Sequence, residues 1–406
     1  MGAHSHSSHV DIPPSARGVR AVLLGFLAIV ALLVGIGLVM LWPDSAKVDD
    51  VKASQDFAAP GVTFPKGDVV SVQPACAGPA EAGPDCDNIV VKVTEGKDSG
   101  TEATVQVPPE VAKSGLRAGD RVVLQRIPED DSGPASFVYY AIDRSPSLLL
   151  LTGIFALVVV AVAWLRGLLA LVGLGFAGVM VLVFMLPALL TGESAPLVAF
   201  VGAAAIMYVV LYLAHGISLR TSVALAGTLV GLAITAGLGI WAVGQSRLTG
   251  IADEGGSVLT SVAGDLDFPG LLACSIVLAG LGVLNDVTIT QASSVWELRA
   301  AAPSMPRWRV WASAMRIGRD HIASTIYTIV FAYVGAGLSL LLILSLFDQP
   351  MLALVGTEEI AEEIVRSLVS VIGLVLAVPV TTVIAVLVAG RSPDVIRDGG
   401  QGSHLV

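Results

Sequence analysis

The residues best equipped for chemistry form two polar groups, each set against an apolar run. The first, Asn285-Asp286-Val-Thr288-Ile-Thr290-Gln291-Ala-Ser293-Ser294, follows directly on Leu281-Gly-Val-Leu284. The second, Arg319-Asp320-His321, leads into Ile322 and a long apolar segment. Polar groups beside hydrocarbon are costly unless they pair or meet water, so these two stretches ask for a function. The carboxylates of Asp286 and Asp320 can ligate a cation or exchange a proton, and His321 can relay one. Thr288, Thr290 and Gln291 offer neutral ligands, and Arg319 a counter-charge. Asp286 and Thr290 share a face if the helix continues through them. The plain alternative stands equally open: Asp320 as the cap of a helix amino terminus, with Arg319 as an interfacial anchor. An aspartyl dyad of Asp286 and Asp320 is disfavoured, because both acids are expected at the cytoplasmic edge of the membrane.

The elements that must position these groups are apolar helices. Of 406 residues 54% are hydrophobic and only 14% charged, against about 25% charged in soluble proteins. With a mean hydropathy of +0.80 the chain reads as an integral membrane protein. A net charge of −10 argues against nucleic acid as a partner, since phosphate binding needs clustered Lys and Arg. Eight runs approach the ~20 residues that span a bilayer: Val22 to Trp42, Leu148 to Leu165, Leu168 to Leu186, Leu197 to Ala214, Ser222 to Val243, Phe268 to Leu284, Ile322 to Phe347 and Ser367 to Ala389. The first is too long for a signal-peptide core and ends in Trp-Pro, so an uncleaved anchor is expected.

Between the first and second runs, residues 43–146 turn polar and rich in Gly and Pro. Short alternating segments there predict strands at Asp68 to Gln73, Asn88 to Thr94, Thr101 to Val107, Arg121 to Ile127 and Phe137 to Ile142, as a small antiparallel barrel or sandwich. Cys76 and Cys86 lie close enough in one loop to form a disulfide, which would suit an extracytoplasmic compartment; two unpaired thiols are the alternative. The sequence thus predicts a mainly α membrane protein with eight transmembrane helices and a small extracytoplasmic β-rich domain between helices 1 and 2. The expected parts are a cytoplasmic tail (1–21), a first span (22–42), the β-rich domain (43–146), a seven-helix bundle (147–390) and a second cytoplasmic tail (391–406).

Charge sets the orientation. With the amino terminus inside, Arg17, Arg20, Arg166, Arg220, Arg299, Arg307, Arg309, Arg316, Arg319, Arg391 and Arg397 are cytoplasmic, and the short outer loops carry only Arg247 and Arg366. Arg307, Trp308, Arg309, Trp311 and Arg316 mix Trp and Arg at helical spacing and are expected to anchor at the inner membrane interface. Gly173-Leu-Gly-Phe-Ala-Gly178 matches a dinucleotide-binding pattern but lies inside an apolar run. Like Gly227 with Gly231 and Gly335 with Gly337, it is expected to serve close helix packing. Pro379 is expected to kink the last helix beside Thr381 and Thr382. No His-Glu-x-x-His, Gly-x-Ser-x-Gly or phosphate-cradling motif occurs, so no catalytic residue, metal site or cofactor is predicted.

Asn-Asp-Val-Thr-Ile-Thr-Gln-Ala-Ser-Ser (285–294), Gly-Arg-Asp-His-Ile-Ala-Ser (318–324), Gly-Thr-Leu-Val-Gly (227–231) and the order of one helix, an outer domain and seven helices resemble the bacterial YibE/F family. The resemblance covers about Leu148 to Gly390. It implies a multi-pass protein of a bacterial plasma membrane whose activity is not settled. The expected function is binding or transport of a small solute or ion through the last seven helices. The alternative is a non-transporting envelope scaffold or sensor whose outer domain, residues 43–146, binds an envelope protein. In either case the lipid bilayer is a partner.

Overall fold

A computed structural model describes residues 17–54, 61–73, 87–129, 134–252, 254–263, 266–346 and 350–390. Cys76 and Cys86, residues 1–16 and residues 391–406 lie outside the described residues, and the last residues of the expected first tail, from Arg17 on, already belong to a helix. Two compact units emerge: Lys52–Val162, and the chain up to Val51 taken with the chain from Ala163 onward.

The smaller unit is a five-stranded antiparallel sheet. Its strands are β1 (Lys66–Val72), β2 (Asn88–Val93), β3 (Glu102–Gln106), β4 (Arg121–Ile127) and β5 (Ser136–Ile142), in the order β3-β2-β1-β4-β5. Each expected strand is present within two residues, because alternation decides which side chains go inside. Ile89, Val91 and Val93 from β2 meet Val69, Val105, Val122 and Leu124 in one core. The edge strands β3 and β5 approach each other. With a short helix at Pro109–Ala112 between β3 and β4, the cyclic strand order is that of a partly open OB-type barrel. A side chain at Gly67 would run into Val91 and come 2.9 Å from the Lys92 carbonyl, so β1 and β2 need glycine there.

In chain order the helices are α1 (Arg17–Met40), α2 (Ser45–Ser54), α3 (the Pro109–Ala112 turn), α4 (Ser145–Val179), α5 (Leu186–Leu190), α6 (Ala195–His215), α7 (Leu219–Ser246), α8 (Glu254–Val262), α9 (Phe268–Ala301), α10 (Arg307–Ala336), α11 (Leu338–Ser345), α12 (Met351–Val355) and α13 (Glu358–Val388). Among the described residues six helices are long and apolar enough to cross a membrane, or seven if α10 and α11, bent by 65°, make one span. The expected pair at Leu148 to Leu165 and Leu168 to Leu186 is a single helical stretch, Ser145–Leu190. It is interrupted at Trp164, with φ 51° and ψ −134°, and widens to a π-helix at Met180–Met185.

Two helices begin or end far from where hydropathy places them. α9 does not stop at Leu284 but runs on to Ala301, and α10 begins at Arg307 rather than Ile322. The polar residues prolong these helices because their side chains find partners on neighbouring ones. Arg299, buried at the end of α9, donates through Nη1 to the Met305 carbonyl at 2.6 Å and closes the turn into α10.

α7, α9 and α13 pack together through small residues. A Cβ at Gly231 would come 2.9 Å from both Ala377 Cβ and Leu284 Cδ2, one at Gly227 would overlap Thr381, and one at Gly373 would overlap Thr235. The Gly227 and Gly231 expectation holds. By contrast Gly175, Gly178 and Gly335 meet nothing within 4 Å, Gly173 only ordinary contacts with Val210, and Gly337 sits at the bend between α10 and α11. α13 continues without a break through Pro379.

Two predictions follow from this packing and from the barrel. Gly231→Val is expected to cost about 1–3 kcal/mol by forcing α7 away from α9 and α13. Gly175→Ala, in open space, is expected to be neutral, and thermal unfolding of both purified variants checks the contrast. In the smaller unit Asp143 is held at a pKa of about 2 by hydrogen bonds from Ser145 and by Lys66, whose ammonium lies 3.0 Å away. A depressed carboxylate stabilises above its unfolded value near ~3.9 and loses that contribution as pH falls toward 2. Asp143→Asn should therefore lower the melting temperature at neutral pH and flatten its fall between about pH 4 and pH 2.

Candidate functional site

Of the residues expected to act together, the structure joins Asp286 and His321. His321 Nε2 lies 3.4 Å from Asp286 Oδ2, without the alignment of a hydrogen bond. Asp286 is 66% exposed at its side chain and His321 32%. His321 Nε2 and the neighbouring Asn285 Oδ1 are both shielded atoms with no hydrogen-bond partner. An exposed carboxylate oxygen thus stands beside a His321 nitrogen that protein groups leave unsatisfied.

Thr288 and Gln291 turn the other way, into the bundle. Thr288 Oγ1 and Thr228 Oγ1 are 2.6 Å apart, and both residues are fully buried. Gln291 Nε2 donates to Thr382 Oγ1 at 2.7 Å and to the Ala314 carbonyl at 3.0 Å, which ties α9 to α13 and α10 in one contact. Thr382 in turn donates to the Val378 carbonyl at 2.7 Å. Gly318 completes the seam, since a Cβ there would lie 2.8 Å from Gln291 Oε1 and 2.9 Å from Val378. Thr290 is half-buried, and its carbonyl accepts from Ser294 Oγ at 2.9 Å.

Arg319 and Asp320 are exposed and stand apart from the pair. Consecutive helical residues point about 100° apart, so Asp320 cannot face α9 while His321 does. Nor does Asp320 cap a helix, because α10 starts at Arg307. Trp308, Trp311, Arg307, Arg309 and Arg316 fall in the first turns of α10; Trp308 is 66% exposed, and the Arg309 guanidinium lies over its ring at 5.2 Å. Among the described residues no three His, Cys, Asp or Glu gather as metal ligands.

Helix register fixes the level of the Asp286–His321 pair. Thr288 sits opposite Thr228, and Leu284 opposite Gly231. Asp286 therefore lies between these levels. Thr228 is nine residues from the start of α7 at Leu219, about 14 Å at the helical rise of about 1.5 Å per residue. α6 ends at His215 just before that start, and α13 ends at Val388, seven residues beyond Thr381, which packs on Gly227. The pair thus stands about 14 Å in from the common level of these helix ends. Hydropathy puts helix ends at the polar residues themselves, whereas α9 and α10 both run on past them.

Local reading missed Thr228 as a site-building residue. A signal for it exists: Thr221, Thr228 and Thr235 recur every seven residues along one face of α7, and all three are fully buried. Gln291→Leu is expected to remove both donors from Thr382 and Ala314 and to cost about 1–3 kcal/mol. Asp286→Asn, on an exposed side chain, should change unfolding by less than about 1 kcal/mol. Melting curves of the two variants measured together test this division between support and site.

Against known proteins, the family model described as YibE/F-like protein matches residues 151–391. No curated protein and no solved structure matches the chain.

Proposed function

From the premise that this chain belongs to the YibE/F-like family, we propose that it is a bacterial plasma-membrane protein that binds and passes a proton or small cation at Asp286 and His321. The observation that carries this reading is the pair's position, mid-way along α9 and about 14 Å in from the start of α7, with an exposed carboxylate. Ionisable groups at such depth mark ion and proton pathways, and transporter sites lie near the bilayer midplane. In the proposed step a cation meets Asp286 Oδ2, and His321 takes or returns the proton that the carboxylate exchanges. Thr228, Thr288, Gln291 and Thr382 hold the helices in register. Thr290 borders the site, and Asp320 and Arg319 are not part of it.

The proposed topology has both termini in the cytoplasm and residues 43–146 outside. Dividing Ser145–Leu190 at Trp164 and counting α10 with α11 as one span gives eight crossings, which returns the carboxyl terminus to the side of the amino terminus. The Arg-rich ends of the helices support that side as the inner one. A stretch of 46 residues would extend about 69 Å, more than twice the hydrocarbon core, so a division is physically required if all of it lies in lipid.

The test is thermal stability of the purified chain across pH and a panel of monovalent and divalent cations, beside Asp286→Asn and His321→Gln. A cation at about 100 times its dissociation constant should add roughly 2.7 kcal/mol to the wild type and nothing to Asp286→Asn. A wild type indifferent to every cation and to pH, or variants that respond as it does, would sink the proposal and direct attention to the outer β unit as a docking module.

A further inference from the structure

Where α1, α7 and α13 meet, an apolar groove of 280 Å³ is lined by Val19 and Phe26 of α1, Ala226 and Val230 of α7, and Leu387 and Val388 of α13. Three contacts fix which parts of these helices share a level. Tyr208 Oη donates to the Leu27 carbonyl at 2.7 Å, Tyr212 Oη and Ser222 Oγ are 3.0 Å apart, and Thr381 packs on Gly227. Each of these neighbours runs antiparallel to the other, so Arg20 lies level with His215, His215 with Leu219, and Arg220 with Val388. The groove therefore starts at the level of Arg20 and Arg220 and runs about 15 Å further in, to Val230. Both arginines are half-buried, and among the described residues neither makes an ion pair or a side-chain hydrogen bond. No Asp or Glu occurs in α1, α6, α7 or α13 from Ser367 on to supply one.

We propose that this groove holds one acyl chain of an anionic phospholipid, whose phosphate meets Arg20 and Arg220 at its mouth. Guanidinium groups match phosphate oxygens, and basic pockets between helices at a membrane interface recruit anionic headgroups. A free phosphate would leave the apolar groove beyond the two arginines unfilled. A partner helix is about 10 Å across with its side chains, too wide for 280 Å³ spread along this length. A zwitterionic lipid fits the groove but brings its own cation to two arginines that already lack an acid. The bound chain joins α1, which buries only Leu23, Leu27 and Val34, to the rest of the bundle. The site uses neither Asp286 nor His321, and it requires that α1 and α7 lie in a bilayer, whichever side is the inner one.

The experiment offers the full chain, purified in a neutral detergent, equal amounts of phosphatidylglycerol and phosphatidylcholine, and counts the lipid retained per chain by native mass spectrometry. Expected is one phosphatidylglycerol per chain, preferred over phosphatidylcholine by about 25-fold. Arg20→Gln and Arg220→Gln should each lower that preference roughly fivefold, the worth of one Arg near an anionic surface. Val230→Phe fills the groove and should lose the lipid with both arginines in place. Val22→Trp fills it from the side where Val22 is 74% exposed, and keeps the test open if Val230→Phe fails to fold. Arg309→Gln, on the start of α10, should change nothing. Equal retention of the two lipids would overturn the proposal, as would an equal loss in Arg309→Gln, which marks general attraction to basic helix ends. Retention in a folded groove-filling variant, or full displacement by inorganic phosphate, would also overturn it and leave an anion site without an acyl chain. Asp286→Asn should retain the lipid, so failure of the ion site and failure of the lipid site are read separately.

Discussion

The close approach of α7, α9 and α13 is the constraint on which the rest depends. In lipid there is no hydrophobic gain in bringing helices together, so contact rests on packing and on polar groups that satisfy one another. Here the two devices coincide. Gly227 and Gly373 receive the side chains of Thr381 and Thr235, whose hydroxyls are already bonded to the Ala377 and Gly231 carbonyls of their own helices. The Thr228–Thr288 and Gln291–Thr382 hydrogen bonds then join helices that the glycines have let close. A slip by one residue would break these bonds and drive side chains into backbone, so register is strongly specified.

That register gives Asp286 its meaning. A carboxylate at a helix end is ordinary; the same carboxylate three turns inside needs an explanation. α10 is drawn in by the second hydrogen bond of Gln291, to the Ala314 carbonyl, and by Gly318 against Val378, and His321 is carried to Asp286 one turn further on. One glutamine therefore connects the packing core to the site. It also explains why α10 is packed on one side only: Val310, Ala314, Gly318 and Thr325 face the bundle, and the opposite side is left open.

The fold was legible to different degrees for physical reasons. Strands in the smaller unit could be read because burial on one side imposes a period of two, as at Ile89, Val91 and Val93. The existence of the long helices could be read from apolarity, but not their ends in α9 and α10, because hydropathy treats polar residues as leaving the membrane. Gln291, Thr288 and Arg299 stay in because their partners, Thr382, Thr228 and the Met305 carbonyl, come from outside the apolar segment that hydropathy reads. Such partners are invisible to a local window, and only the seven-residue spacing of Thr221, Thr228 and Thr235 hints at them. The interruption at Trp164 has no local signal either, since no proline or glycine stands at that position. The Asp286 and His321 pairing was legible as a cluster of residue types, but its place in the middle of α9 and the separation of Asp320 from it were not.

The start of α10 settles how Asp320 and Arg319 must be understood. Had the helix begun at Ile322, Asp320 would have capped it and Arg319 would have met headgroups, and neither would have needed a partner. With the helix starting at Arg307, both side chains stand in its interior, where backbone donors are already taken by the helix itself. The Arg309 guanidinium, near the helix start, lies over the Trp308 ring, whereas Arg319 and Asp320 stand about three turns further along α10 and, among the described residues, meet no charged partner. Charges so placed on a helix face are stabilised by water or by opposite charges from another surface.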